Sequence, residues 1–123
     1  MIGIDVVAIA RFEKFLEKKT ALAKFLSEEE ILLVTAPQTA AGFFAAKEAI
    51  SKALGSGIGA SCSFHDIRLY KDTQGAPYFT LSQKLINQYE ITQTSLSISH
   101  DGGFAIAVAV LYSNQAPKNP LFH

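Results

Sequence analysis

Apolar and polar positions divide the chain into recognisable elements. Residues 2–9 form a run rich in Ile and Val, which predicts a buried strand, interrupted by Asp5. An acid inside such a run is costly unless it is paired or holds a cation. In residues 11–26, Phe12, Phe15, Leu16, Leu22, Phe25 and Leu26 recur among charges, an amphipathic helical pattern with a break near Thr20. Ser27 and Glu30 then spell a capping box, and the acids Glu28, Glu29 and Glu30 suit the first turn of a helix. That role accounts for these acids without a metal.

Pro37 separates this helix from an alanine-dense one over residues 39–54, which Gly55 stops. A glycine-rich turn follows at residues 55–59, then a strand over 64–72, a turn over 73–77 and a second strand over 78–81. Ser82 is placed to cap a helix ending near Tyr89. Residues 95–99 and 104–112 read as strands around the turn at 100–103, and from Ser113 onward a loose polar tail is expected. The elements do not alternate strictly, so the pattern predicts one α+β domain over residues 1–123, with an antiparallel sheet packed on a long central helix.

Composition narrows the function classes. With 123 residues, 49% of them hydrophobic, the chain is long enough for a real core. A charged fraction of 18% and a net charge of zero speak against disorder and against a generic nucleic-acid binder. One cysteine, Cys62, excludes an internal disulfide and a cysteine-based zinc site, and reads as an ordinary small side chain in a loop. The start lacks a basic leader, and no apolar run nears the ~20 residues that span a bilayer, so a cytoplasmic protein without a membrane partner is expected. Charge is uneven: Arg11, Lys14, Lys18, Lys19 and Lys24 outnumber Glu13 and Glu17. This is either a solvated face or a docking surface for an acidic partner.

Candidate chemistry centres on the central helix. Glu48 and Lys52 are four apart and share a face, while Lys47 lies about 100° round from Glu48. A surface ion pair is the plain alternative, but the neighbours are almost all Ala, Ile, Leu or Phe, and buried charges need partners. Asp5 adds a second carboxylate in an element that packs nearby; a divalent cation would offset the repulsion and desolvation of the two. Mg²⁺ takes one or two carboxylates, keeps waters and accepts phosphate oxygens. Lys52 is suited to a phosphate, and Ser56 and Gly57 sit in a loop whose backbone N–H groups either approach phosphate oxygens or merely cap the helix. His100 ends a strand, as a hydrogen-bonded structural residue or a site residue, whereas Asp72 and Asp101 suit turns.

Three blocks in order, Gly3-Ile4-Asp5-Val6-Val7, Phe44-Ala45-Ala46-Lys47-Glu48-Ala49 with Lys52-Ala53-Leu54-Gly55, and Ser97-Ile98-Ser99-His100-Asp101, resemble the holo-[acyl-carrier-protein] synthases. These are the small homotrimeric class of 4′-phosphopantetheinyl transferases. The Lys71-Asp72 and Gly75-Ala76-Pro77 hairpin also resembles the family's, and the likeness spans residues 2–112. It implies the 4′-phosphopantetheinyl transferase fold and transfer of phosphopantetheine from coenzyme A to a serine of apo acyl carrier protein, in fatty acid biosynthesis. Adenosine 3′,5′-bisphosphate would be the other product. By position, the resemblance assigns Asp5 and Glu48 to Mg²⁺ and Lys52 to the transferring phosphate. It assigns Lys47 and His100 to the coenzyme A site and Arg11 to the acidic carrier; Ser56 and Gly57 join the coenzyme A site through the glycine-rich loop, and Lys14 and Lys18 join Arg11 as part of the basic segment. It further implies a homotrimer whose active sites lie between subunits.

Phosphoryl transfer needs charge neutralisation and alignment more than a protein nucleophile. Glu48, directly or through a water, is the first candidate for the base that takes the serine proton. Departures from the family pattern are Phe43 where arginine is usual, which puts one cationic contact to a coenzyme A phosphate in question, Ala8 where an acid is common, and Ser56 for threonine. The opening strand begins at Met1, shorter than usual, so its first ladder bonds are expected to be missing. Two other readings compete: a non-enzymatic trimeric coenzyme A or nucleotide-binding module, and a Mg²⁺-dependent phosphohydrolase using the same acids.

Overall fold

A computed structural model describes residues 1–116. An 18-residue helix, α3 (Pro37–Leu54), lies across a three-stranded antiparallel sheet of β1 (Ile2–Ala8), β5 (Phe104–Ser113) and β4 (Ile91–Asp101), in the order β1-β5-β4. Short helices α1 (Lys19–Leu22) and α2 (Glu28–Ile31) precede α3. A hairpin of β2 (Ile67–Lys71) and β3 (Pro77–Leu81), then α4 (Gln83–Tyr89), connect it to β4. This is the expected α+β arrangement.

The helix and sheet meet through small side chains. Ala45, Ala46, Ala49 and Ala53 on α3, and Ala105, Ala107 and Ala109 on β5, are buried. Gly3 makes the closest approach: a Cβ there would lie 1.9 Å from the carbonyl oxygen of Ala49. No other residue type fits. Because strand side chains alternate, Gly3, Asp5 and Val7 all face α3. The contact at Gly3 therefore fixes where Asp5 meets the helix. Gly55, with φ +80°, ends α3 in the left-handed conformation, its N–H donating to the Lys52 carbonyl.

Three expectations need correction. Residues 11–26 do not form one helix: 3-10 turns at Ile9–Phe12 and Phe15–Glu17 lead into α1. Along a continuous helix, Phe12 and Phe25 would stand about 20 Å apart; their ring centroids are 6.0 Å apart. The segment folds back so that both rings join Phe44 and Phe64 against α3. Ser82 occupies the N-cap position of α4 but makes no side-chain capping bond. The β1 ladder does not lose its first bonds: the Met1 ammonium donates to the Leu111 carbonyl at 2.8 Å, and the Leu111 N–H returns to the Met1 carbonyl. Of the expected loose tail, Ser113–Ala116 is partly tethered, the Gln115 side chain donating to the Gln88 carbonyl at 2.7 Å. The remainder lies outside the described residues.

Candidate active site

Phe44, Glu48 and Lys52 are spaced four apart and form one stripe along α3. β1 runs beside that stripe and delivers Asp5 to it. The Lys52 ammonium donates to Asp5 Oδ1 at 2.8 Å and to the Ile4 carbonyl at 3.2 Å. Asp5 is mostly covered and Lys52 half exposed, with side-chain exposures of 14% and 51%. The Arg11 guanidinium lies 5.4 Å from the Phe44 ring centroid and 5.6 Å from that of Phe12. Arg11 thus closes the end of the stripe opposite Lys52, bringing the start of the basic segment to the acids. Lys14 and Lys18 follow it, both exposed.

Electrostatics marks Glu48 as the unusual group. Burial pushes its carboxyl above the usual 4.5; the Asp5 charge adds to the rise, while Lys52 and Arg11 pull it back. A half-buried carboxylate beside a second carboxylate makes a fitting pair for a divalent cation. Among the described residues no cluster of three or more His, Cys, Asp or Glu exists. The donor set is therefore two carboxylates, which suits Mg²⁺ completed by waters and phosphate oxygens and does not suit a closed protein-only site.

Lys47 is elsewhere. It is fully buried, and its three donors go to Glu30 Oε1 at 2.9 Å, the Phe25 carbonyl at 2.8 Å and the Phe64 carbonyl at 3.0 Å. The expected coenzyme A contact through Lys47 is thus corrected: the ammonium has neither surface nor a free donor. Burial lowers its proton affinity, and the bond to Glu30 opposes that shift. Glu30 carries more than its cap. It accepts from the Ser27 N–H as expected, and also from Lys47 and, through Oε2, from the Leu69 N–H at 2.8 Å. This hub ties α2 and β2 to α3; the sequence showed only the capping box.

The loop after α3 behaves as a cap. The N–H groups of Ser56 and Gly57, expected at phosphate oxygens, both donate to the Ser51 carbonyl at 3.2 Å. The cradle expectation is corrected for those donors, and the Ser56 hydroxyl itself bonds the Gly57 carbonyl. His100 ends β4 beside the first turns of α3, its Nε2 3.1 Å from the Gln38 carbonyl. A carbonyl only accepts, so Nε2 carries the proton in that bond. Asp72 serves its turn as expected, accepting from the N–H groups of Gln74 and Ala76. Cys62 is buried in a loop, its thiol pushed up by that burial.

Known proteins resemble this chain in sequence and fold. A family model described as the 4′-phosphopantetheinyl transferase superfamily matches residues 1–109. The holo-[acyl-carrier-protein] synthase of Nautilia profundicola is 57% identical over 113 residues, covering 90% of this chain and 98% of that protein. That of Sulfurimonas denitrificans is 52% identical over 120 residues, covering 96% and 99%. The crystal structure of Helicobacter pylori holo-[acyl-carrier-protein] synthase in complex with coenzyme A matches with a TM-score of 0.86 at 50% identity, over 91% of this chain and 100% of that one. The Bacillus anthracis enzyme in complex with CoA (3′,5′-ADP) matches with a TM-score of 0.76 at 39% identity, over 92% and 96%. In sequence and in fold, then, this chain belongs to the 4′-phosphopantetheinyl transferase superfamily.

Proposed function

We propose that this chain transfers 4′-phosphopantetheine from coenzyme A to a serine of apo acyl carrier protein, serving fatty acid biosynthesis in the cytoplasm. The observation that carries the reading is the convergence of Asp5, Glu48 and Lys52 where β1 crosses α3, with Lys52 2.8 Å from Asp5. In the reaction the serine oxygen attacks the phosphorus that bears pantetheine. The bond from that phosphorus to the bridging oxygen breaks, and adenosine 3′,5′-bisphosphate leaves with the electron pair.

Asp5 and Glu48 would hold Mg²⁺, which neutralises pyrophosphate charge and stabilises the departing oxygens. Lys52 reaches the same place on a half-exposed arm and would turn from Asp5 to the transferring phosphate. Glu48, whose proton affinity burial and Asp5 raise, is the group best suited to receive the serine proton. Arg11 at the head of the stripe, with Lys14 and Lys18 beyond it, offers positive charge to an acidic carrier. His100 and the Ser56 hydroxyl contribute to the coenzyme A site.

A homotrimer with active sites between subunits completes the reading. Its support is the sheet face turned away from α3. There Ile2, Ile4 and Val6 are 70%, 56% and 52% exposed, beside half-buried Ile106, Val108 and Val110 of β5. Such a contiguous apolar face is expected to be covered by other copies.

The test is Glu48→Gln, followed by intact mass of the carrier protein. Transfer is expected to be lost while circular dichroism stays that of the wild type. Wild-type activity in the variant would remove Glu48 from the mechanism. Coenzyme A binding by the wild type without turnover on any carrier would instead favour the binding-module alternative.

A further inference from the structure

The basic segment from Arg11 to Phe25 has little regular structure of its own. It runs through 3-10 turns and the four-residue α1, elements too short to keep their shape alone. Two kinds of anchor hold it on α3. Phe12, Leu22, Phe25 and Leu26 are buried, with Phe12 and Phe25 in the ring cluster around Phe44. Apolar burial is non-directional: it holds the segment down without setting its register along the helix. The directional anchor is Lys47, whose ammonium donates to the Phe25 carbonyl at 2.8 Å. Among the described residues no other donor reaches that carbonyl.

Lys47 is itself held firmly. Its partner Glu30 also takes the Ser27 and Leu69 N–H groups, so the anchor reaches α2 and β2 as well as α3. A fully buried ion pair is often no more stabilising than well-packed apolar side chains; what it adds here is a fixed geometry. Lys47 and Glu48 are consecutive on α3, so one turn of helix carries both the anchor of the basic segment and the carboxylate of the site. At the other end of the segment, Arg11 rests on Phe44, one turn before Glu48. Between these two points Lys14, Lys18 and Lys19 are exposed. Like Arg11 and Lys24, they have no carboxylate within ion-pair distance among the described residues.

We propose that Lys47 is a positioning residue for the carrier protein: through the Phe25 carbonyl it sets the register of the basic segment against Glu48, so that an acidic carrier docked on Arg11, Lys14 and Lys18 presents its serine to the Asp5, Glu48 and Lys52 site. This rests on the basic segment being the carrier surface.

The experiment measures kcat and KM for apo carrier and for coenzyme A, and Kd for apo carrier alone by fluorescence anisotropy, at low salt and well below each unfolding transition. Glu30→Gln/Lys47→Met, which removes both charges of the buried pair, is compared with its parent in the wild-type background and in a Lys14→Glu/Lys18→Glu background. In the first, KM and Kd for the carrier are expected to rise about tenfold, the size of one or two exposed charge contacts, with KM for coenzyme A within about twofold of the wild type. In the second, the same change is expected to leave both nearly unaltered, because a segment that no longer attracts the carrier has nothing to register. A general loosening of the fold would cost the same in both backgrounds. Equal rises in both, a fall in kcat alone, or an unchanged KM overturns the proposal. Amide hydrogen exchange of the wild type tests the anchor without a variant. The Phe25 and Leu26 N–H groups, both bonded to the Leu22 carbonyl, are expected to be protected as strongly as those in the middle of α3, and exchange at the rate of an exposed turn overturns the anchor. If the wild type binds the carrier and transfers nothing, the proposed function fails and the Kd comparison decides the docking claim by itself.

Discussion

Replacing Lys47 by methionine leaves a hole in a set of interactions, and the structure gives its size. The variant leaves the Phe25 carbonyl without its donor and the Glu30 carboxylate without its counter-charge, while the Phe64 carbonyl keeps the Ile67 N–H and Glu30 Oε1 keeps the Ser27 N–H; the ammonium reaches all three acceptors within 3.0 Å. Removing one partner of a buried ion pair costs about 3–5 kcal/mol, because the other charge stays buried without compensation. For a chain of this size that corresponds to a fall in Tm of about 10–20 °C. Lys52→Met is the control on the same helix. Its pair with Asp5 is half exposed, so the loss should stay below about 1 kcal/mol while transfer collapses. Adding Glu30→Gln to Lys47→Met should restore about 1–3 kcal/mol by removing the orphaned charge. The assay is urea unfolding followed by circular dichroism at one fixed protein concentration, with transfer measured well below each variant's transition. A Lys47→Met protein of wild-type stability that has lost transfer would refute the structural assignment and return Lys47 to the substrate site.

Three further outcomes are expected. Glu48 binds its proton more tightly folded than unfolded, so the stability this confers is full below its ordinary value of 4.5 and is lost as pH rises through the raised folded value. Glu48→Gln should therefore raise the Tm of magnesium-free protein near neutral pH, with the gain vanishing below about pH 4; a variant that lowers Tm at neutral pH would contradict the buried-carboxylate account. Gly3→Ala drives a methyl into the Ala49 carbonyl, 1.9 Å away, and should cost at least about 2 kcal/mol by urea unfolding and loosen Asp5 from α3; a neutral effect would mean that β1 yields easily. Reversing Lys14 and Lys18 to glutamate should raise KM for the carrier most strongly at low salt, and an unchanged KM would make the segment a solvated face.

Local chemistry made the frame legible before the structure. The alanine-dense helix, its glycine stop, the capping box and the strand with an acid in it are all signals carried within a few residues. The pairing of Asp5 with α3 followed from two apolar elements that each held a charge, and the contact at Gly3 shows why they meet there. What escaped depends on contacts between distant positions. Lys47 and Lys52 look alike on a helical wheel full of apolar residues. The deciding fact is that Glu30, 17 residues before Lys47, sits against one of them and not the other. Helical spacing in residues 11–26 was real, but a ring cluster with Phe44 and Phe64 outweighed it. The Lys71–Phe43 contact joins a hairpin to a helix start, and no local pattern announces it.

The central claim is that Asp5, Glu48 and Lys52 form a magnesium-assisted phosphopantetheine-transfer site. Its most direct test is the intact mass of apo acyl carrier protein after incubation with this protein, coenzyme A and Mg²⁺, alongside a sample containing EDTA and one with Mg²⁺ then restored in excess. The account predicts the mass of one added phosphopantetheine, absent with EDTA and regained on restoring the metal. An unmodified carrier under all three conditions, or full modification in the presence of EDTA, would contradict it.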